Sequence, residues 1–376
     1  MLFVLDDPQK KLRRSAYSDV ITLFLVSRIV FAVLILMSQT TLSEFKVVCD
    51  SEHYVRIAQD GYEDPLLTVF FPMIPMLIRF LSWYGLVAVN QVCLFVSMIL
   101  LKRLLEDRYK SDVVNQILFI FAFSPISYFS FAAYTECVFF VLTLSSFYLF
   151  VKNKHPWLMG IFLGLSVATR NTGSIFFFAL FIGMVIRWIK KENTIIHIIQ
   201  AYVPATMISL IYPVFLQVRH GNWKMFVDYE YSNWFRIHSN FFKTTFISLK
   251  MIFTNEYEYD GASLTLFRIN ETLTLLLTAS LIILSIRAIR KIKECDAVPI
   301  VTVLIPIMSI IIFTSSILDP NIHAPTRCFF RYYYALVPTY ILLHDMKPKF
   351  MNVLMIVSIF LSCFMSILFF KGQFFY

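Results

Sequence analysis

The residues best suited to chemistry fall in one polar stretch, Cys49-Asp50-Ser51-Glu52-His53-Tyr54-Val55-Arg56-Ile57-Ala58-Gln59-Asp60-Gly61-Tyr62. Read as a helix, it sets Asp50, His53, Tyr54 and Ile57 on one face at i, i+3, i+4 and i+7, and turns Glu52 away. A single inward carboxylate suits a general base that takes a proton from a hydroxyl nucleophile. An aspartate at the start of a helical stretch equally suits an N-cap. Spacing alone leaves both readings open.

Three further groups carry charge into apolar surroundings. In Ser124-Pro125 and Tyr134-Thr135-Glu136, the acid Glu136 heads a long apolar run, either as a helix N-terminal charge at the interface or facing a wet cavity. Ala168-Thr169-Arg170-Asn171-Thr172-Gly173 is a polar break between two short apolar runs. There Arg170 either snorkels or joins backbone donors in an anion site. In the stretch from His323 to Arg331, Arg327 and Arg331 are candidates to hold a phosphate, whereas a lone His beside Pro325 reads as surface. No Walker loop, G-x-G-x-x-G or H-E-x-x-H motif occurs, so ATP-driven transport and zinc proteolysis have no support. The cysteines at 49, 93, 137, 295, 328 and 363 lack zinc-ligand spacing and read as core-filling thiols; no metal is expected.

Membrane helices must position these groups. Of 376 residues, 58% are hydrophobic and only 15% are charged, against about 45–50% and about 25% in an ordinary globular chain. One crossing takes ~20 apolar residues, and apolar runs occur near 20–38, 85–101, 114–130, 134–151, 156–170, 173–189, 196–217, 263–286, 298–317, 331–344 and 350–370. Several are short, so the expected architecture is an all-α polytopic membrane protein of about 9–11 transmembrane helices in one multi-span domain, 1–376. The run at 20–37 follows Lys10, Lys11, Arg13 and Arg14 but lacks a small-x-small cleavage site, so it reads as a retained first span. Arg28 within it is costly unless it turns into the bundle or reaches an interface.

The net charge of +9 is written in short basic clusters between apolar runs, which fits membrane topology and not nucleic-acid binding. With the N-terminus inside, the cytoplasmic loops hold 19 of the 33 Lys and Arg, among them Lys102, Arg103, Lys152, Arg187, Arg290, Lys291, Lys293 and Lys347. The expected far-side segments are then 39–84, 218–262 and 318–330. The first ends in Phe70-Phe71-Pro72-Met73-Ile74-Pro75, whose prolines suggest an interfacial segment. Trp223, Tyr229, Tyr231 and Trp234 read as an aromatic belt. Asn270-Glu271-Thr272 matches a glycosylation acceptor at an unfavourable place, the mouth of a span. A transporter would set its ionisable residues near the midplane, often with repeat symmetry, whereas these acids cluster at one end. An enzyme is favoured over a transporter or a noncatalytic subunit.

The motifs resemble those of the GPI mannosyltransferase 2 family. Asp50-x-x-His53, Ile57-Ala58-x-x-Gly61-Tyr62 and Phe70-Phe71-Pro72-x-x-Pro75 resemble its first luminal loop, W-D-x-x-H-F, I-A-x-x-G-Y and F-F-P-x-x-P. Tyr134-Thr135-Glu136 resembles its Y-S-E, Arg170-Asn171-Thr172-Gly173 its R-S-N-G, and His323 to Arg327 its H-x-x-x-T-R. Cys49 stands where Trp is usual, and the family's Y-W-x-V-G-F segment has no clear counterpart in 218–262. The resemblance implies a GT-C-type enzyme of the endoplasmic reticulum membrane, with a cytoplasmic N-terminus and a luminal site. Its implied reaction moves mannose from dolichol-phosphate mannose to a GPI-anchor precursor, making the second, α1,6-linked mannose. No cofactor is implied beyond the lipid-linked donor, and family members can depend on an accessory membrane subunit. By the resemblance Asp50 is catalytic. The expected substrate-binding residues are Glu52, His53, Tyr62, Tyr134, Glu136, Arg170, Asn171, His323 and Arg327. The chain's shortness also fits bacterial relatives that use a polyprenyl-phosphate sugar in the cell envelope.

The chemistry agrees with one carboxylate. A lipid-phosphate sugar brings its own good leaving group, but a sugar hydroxyl is a poor nucleophile and needs a base. Glycosidases need two carboxylates for two roles.

Overall fold

Inside a bilayer only a helix satisfies every backbone N–H and C=O within one segment, so the apolar runs become helices. The computed structural model describes residues 8–254, 261–292 and 296–372, without the side chains of 8–16, 46–47 and 261–263. Lys293 and Cys295 lie outside the described residues, as do the side chains of Lys10, Lys11, Arg13 and Arg14.

Helix α1 (Pro8–Met37) is followed by a 3-10 segment at Leu42–Val47, the short α2 (Asp50–Asp60) and a second 3-10 segment at Pro65–Val69. Helix α3 (Met73–Leu105) is broken at Ser82, whose φ of 65° and ψ of 172° are non-helical. The part before the break carries Pro75, and the helix as a whole is long and apolar enough to cross a membrane. Arg28 of α1 turns inward: Nη1 donates to Ser130 Oγ at 2.6 Å and to Gln91 Oε1 at 3.3 Å, above the Phe31 ring.

Then come α4 (Ser111–Ala122), α5 (Glu136–Lys152), α6 (Pro156–Thr169), α7 (Gly173–Ile189) and α8 (Ile195–His220). Helices α6 and α8 approach closely because Gly160 and Gly164 of α6 face α8. A Cβ on Gly160 would stand 1.9 Å from the Ala201 carbonyl oxygen, and one on Gly164 2.8 Å from that of Ala205. Small residues four apart let helix backbones meet in lipid, where packing replaces the hydrophobic effect.

Helices α9 (Met225–Ser232) and α10 (Phe241–Phe253) flank β1 (Arg236–His238). This strand pairs antiparallel with β2 (Ser316–Leu318), Ile237 opposite Ile317, tying the 218–262 segment to the 318–330 segment. Helices α11 (Gly261–Ile289), α12 (Ala297–Thr314), α13 (Phe329–Tyr334) and α14 (Pro348–Phe370) complete the chain.

Among the described residues, six helices are long and apolar enough to cross a membrane: α1, α3, α8, α11, α12 and α14. Helices α4, α6 and α7 are shorter and apolar, and α5 has 17 residues. The chain is thus an all-α polytopic membrane protein. Two expected spans take another form. The 114–130 run becomes the 12-residue α4 and a 3-10 turn at Ser127–Phe131. The 331–344 run becomes the six-residue α13 and a 3-10 segment at Val337–Asp345. Such irregular backbone survives at membrane depth only when protein covers it, and Val337, Pro338, Thr339 and Tyr340 are buried. The core lies beside it, where Tyr128, Phe129, Tyr134, Phe139 and Phe147 are fully buried.

Candidate active site

Asp50 opens α2 directly after Cys49, which adopts φ 46° and ψ −123°. A non-glycine residue in that region is strained, and such strain gathers at functional sites. The carboxylate does not cap α2, whose N-cap has no side-chain hydrogen bond. Instead Asp50 Oδ2 accepts from Arg331 Nη1 at 2.5 Å. The buried face of α2, Ser51, Tyr54, Ile57 and Ala58, packs inward and leaves Glu52 exposed. Ser51 Oγ accepts the Ala133 N–H at 3.0 Å, which holds α2 against the buried 124–134 segment. Gly61, at φ 78°, closes α2 by donating its N–H to Ile57 O at 2.9 Å.

Arg331 reaches a second acid. Its Nε donates to Glu136 Oε1, and its guanidinium lies over the rings of Tyr134 (4.7 Å) and Phe129 (4.9 Å). Arg170 Nη1 donates to the same Glu136 oxygen at 2.6 Å and lies over Tyr332 (5.1 Å) and Phe139 (5.6 Å). The result is one alternating chain of charge, Asp50–Arg331–Glu136–Arg170, with two acids balancing two bases. Glu136 is 1% exposed, Arg331 6% and Arg170 8%, whereas Asp50 keeps 28%. Buried charges are tolerable when each is paired and hydrogen-bonded. Asp50 is thus the accessible end of the charge chain.

Local folding explains the placement. Helix α6 stops at Arg170, which is extended at φ −153°, and Gly173 then donates its N–H to Arg170 O at 2.9 Å. A Cβ on Gly173 would lie 2.6 Å from the Ser166 carbonyl carbon, so this tight turn needs glycine. Glu136 is the first residue of α5, and Arg331 lies in α13. Helix ends thus bring the acid and both arginines to one level.

The other expected site residues spread around this chain. The His53 ring meets Phe70 at 4.8 Å and Trp234 at 5.4 Å. Tyr62 donates its hydroxyl to Phe70 O at 2.6 Å and so braces the loop. Tyr134 is fully buried under Arg331. Asn171 is exposed, its carbonyl accepting from Ser174 Oγ at 2.7 Å. Arg327 approaches His323 Nδ1 at 3.4 Å, and the His323 ring meets Phe235 at 5.8 Å. Burial, then the Arg327 charge, holds the His323 imidazole below its ordinary pKa. Burial, then the Asp50 charge, pushes the Cys49 thiol up to about 12, with Arg327 and Arg331 pulling the other way. Arg327 forms no ion pair with a described residue. Arg170, by contrast, has its charge engaged by Glu136.

Residues 64–313 match the family model of glycosyltransferase family 87. The chain belongs to glycosyltransferase family 87. No curated protein and no solved structure matches it. A family 87 membrane glycosyltransferase accounts for the expected enzyme class, whereas the narrower resemblance to GPI mannosyltransferase 2 rests on the motifs alone. The family 87 match contains Glu136 and Arg170 but begins after Asp50 and ends before Arg331, so half of the charge chain lies outside it.

Sequence reasoning singled out Arg331 only as a phosphate partner and missed that it bridges the two acids. It also read Trp234 as belt, although its indole packs on His53 and Phe70 and donates to Leu66 O at 3.1 Å.

Proposed function

We propose that this family 87 glycosyltransferase transfers mannose from dolichol-phosphate mannose to a GPI-anchor precursor. The product would be the second, α1,6-linked mannose, formed in the lumen of the endoplasmic reticulum. The motif blocks support the donor and acceptor classes. The observation that carries the chemistry is that Asp50 alone among the charged chain is accessible, while Arg331, Glu136 and Arg170 behind it are buried.

The reaction is a single displacement. An acceptor hydroxyl attacks the anomeric carbon on the face opposite the phosphate, and Asp50 takes the hydroxyl proton as the new C–O bond forms. The bond from that carbon to the phosphate oxygen breaks, and dolichol phosphate leaves with the electron pair. The anomeric centre inverts, so a β-linked donor gives an α product. The negative charge that Asp50 loses appears on the phosphate. Arg331 stays anchored on Glu136 as its Asp50 partner is neutralised, so its field supports the growing phosphate charge without moving. Arg327, which pairs with no described carboxylate, is the cation assigned to hold that phosphate. Both substrates are lipids that enter from the bilayer, so no nucleotide site is needed.

A second reading keeps the donor chemistry and changes the acceptor: a polyprenyl-phosphate sugar used for another glycan, as in a cell envelope. The family 87 match is compatible with either acceptor. Membranes carrying the chain, given labelled dolichol-phosphate mannose and a monomannosylated GPI precursor, should form the dimannosylated product. Asp50→Asn, nearly isosteric but unable to take the proton, should abolish transfer at normal abundance. Equal product from both chains removes Asp50 from the mechanism. Transfer to other acceptors only, still lost in Asp50→Asn, selects the second reading.

A further inference from the structure

Glu271 lies within the apolar helix α11 and is fully buried. It forms no ion pair with a described residue. An acid at such a position is costly and is kept for what it holds. Both of its oxygens are engaged: Oε1 accepts the Thr326 backbone N–H at 2.9 Å, and Oε2 meets Ser248 Oγ of α10 at 2.5 Å. Thr326 belongs to the loop that carries Arg327 and leads into α13, which carries Arg331. Its carbonyl accepts the Phe329 N–H at 2.8 Å, which starts α13, and Arg331 follows two residues later. The rest of the loop is held by Leu318 N–H to Pro325 O at 3.1 Å and Arg327 N–H to Ala324 O at 3.1 Å. Thr326 is therefore where α11 grips the loop from the side, between Arg327 and the strand β2.

We propose that Glu271 is a positioning residue for glycosyl transfer: its side-chain Oε1 fixes Thr326, and through it the placement of Arg327 and Arg331 against the donor phosphate and Asp50. This rests on the assignment of the Asp50–Arg331 pair as the reacting end of the site. The role asks only for an acceptor at the right reach, since the Thr326 N–H is a neutral donor and Ser248 Oγ can donate or accept. Glutamine supplies the same carbonyl at the same distance. Aspartate keeps the acid and falls one methylene short.

The experiment compares Glu271→Gln, Glu271→Asp and Asp50→Asn with the parent in the labelled dolichol-phosphate mannose assay. Amounts are matched by size-exclusion profile in detergent. Glu271→Gln should retain transfer, and Glu271→Asp should lose roughly 10- to 100-fold in kcat/KM, the scale of a catalytic group misplaced by about 1 Å. Combined with Arg331→Lys, Glu271→Asp should cost less than it does alone, because both act on one group. A residue that served stability only would leave the turnover of the folded fraction unchanged and add independently to Arg331→Lys. Parent-like turnover in Glu271→Asp, or a folded but inactive Glu271→Gln, overturns the proposal. If Glu271→Asp does not fold, Ser248→Ala, which frees the second Glu271 oxygen, takes its place under the same criteria. Normal transfer by Asp50→Asn brings down the site assignment itself, whereas an inactive Asp50→Asn beside a fully active Glu271→Asp brings down only the role of Glu271.

Discussion

Glu136 is the residue on which the buried part of the site depends, since one of its oxygens receives both Arg331 and Arg170. Glu136→Gln would leave two guanidiniums in the protein interior facing a neutral amide. Breaking a buried pair from one side costs about 3–5 kcal/mol, so this variant should unfold well below the parent in a detergent thermal melt. An unchanged melting temperature would mean that the network is hydrated or loosely formed. Arg327 behaves oppositely, being half-buried and, among the described residues, not ion-paired. Arg327→Ala should leave the melt unchanged and weaken donor binding by the ~1.5–3 kcal/mol of a charge-assisted hydrogen bond, or about 10- to 100-fold, visible as a raised KM for the lipid-phosphate sugar. The sequence made Glu136 and Arg170 visible because charge is rare in apolar surroundings and its cost needs a reason, and Asp50 because it opens the polar stretch after the first apolar run. It could not reveal that Arg170 pairs with the Glu136 carboxylate, because that pairing depends on how α5 and α6 meet.

At the scale of elements, glycine turns and close helix contacts set the positions of the charged groups. Gly160→Ala puts a Cβ where the Ala201 carbonyl oxygen stands 1.9 Å away, and backbone cannot yield as a flexible side chain does. Helices α6 and α8 must separate, which costs about 1–3 kcal/mol as overpacking does and carries the α6 terminus, with Arg170, away from Glu136. The expected result is a lower melting temperature together with reduced transfer per folded molecule; a parent-like melt and rate would show that the helices can slide freely. Helix α7 was legible as 173–189 because its apolar run ends at Gly173 on one side and Arg187, Lys190 and Lys191 on the other. The 331–344 run misled because an apolar stretch looks the same whether it forms α-helix or buried 3-10 turns. Only neighbouring protein makes the second form tolerable. Glu271 was legible in the same way as Glu136, as an acid inside the 263–286 run, yet the overlapping glycosylation triplet drew attention to Asn270, which is fully buried.

For the whole molecule, the site exists only when distant parts of the chain close on each other: Asp50 and Arg331 are 281 residues apart in sequence. The ends of the bundle then differ in character. At one end lie the charge chain, α2 and the 318–328 loop. At the other, Lys152 pairs with Asp107 at 2.8 Å, Lys291 with Asp345 at 2.6 Å, and the Asn153 amide donates to the Glu192 carbonyl at 3.3 Å, which gathers the basic connections on one face. Between the ends runs the part of α3 after Ser82, residues 83–105, about 35 Å at 1.5 Å per residue, enough to pass through a hydrocarbon core of about 30 Å. Lys and Arg in short loops set orientation because they resist translocation. The basic end should therefore stay in the cytoplasm and the Asp50 end should face away from it. Epitope tags at 41–64 and at 103–112 test this directly: in selectively permeabilised cells the second should be reached by antibody and the first should stay protected until the membrane is fully opened. Equal access to both would mean that α3 does not cross, and Asp50 would then stand on the side of the cytoplasmic loops, where a luminal donor could not reach it.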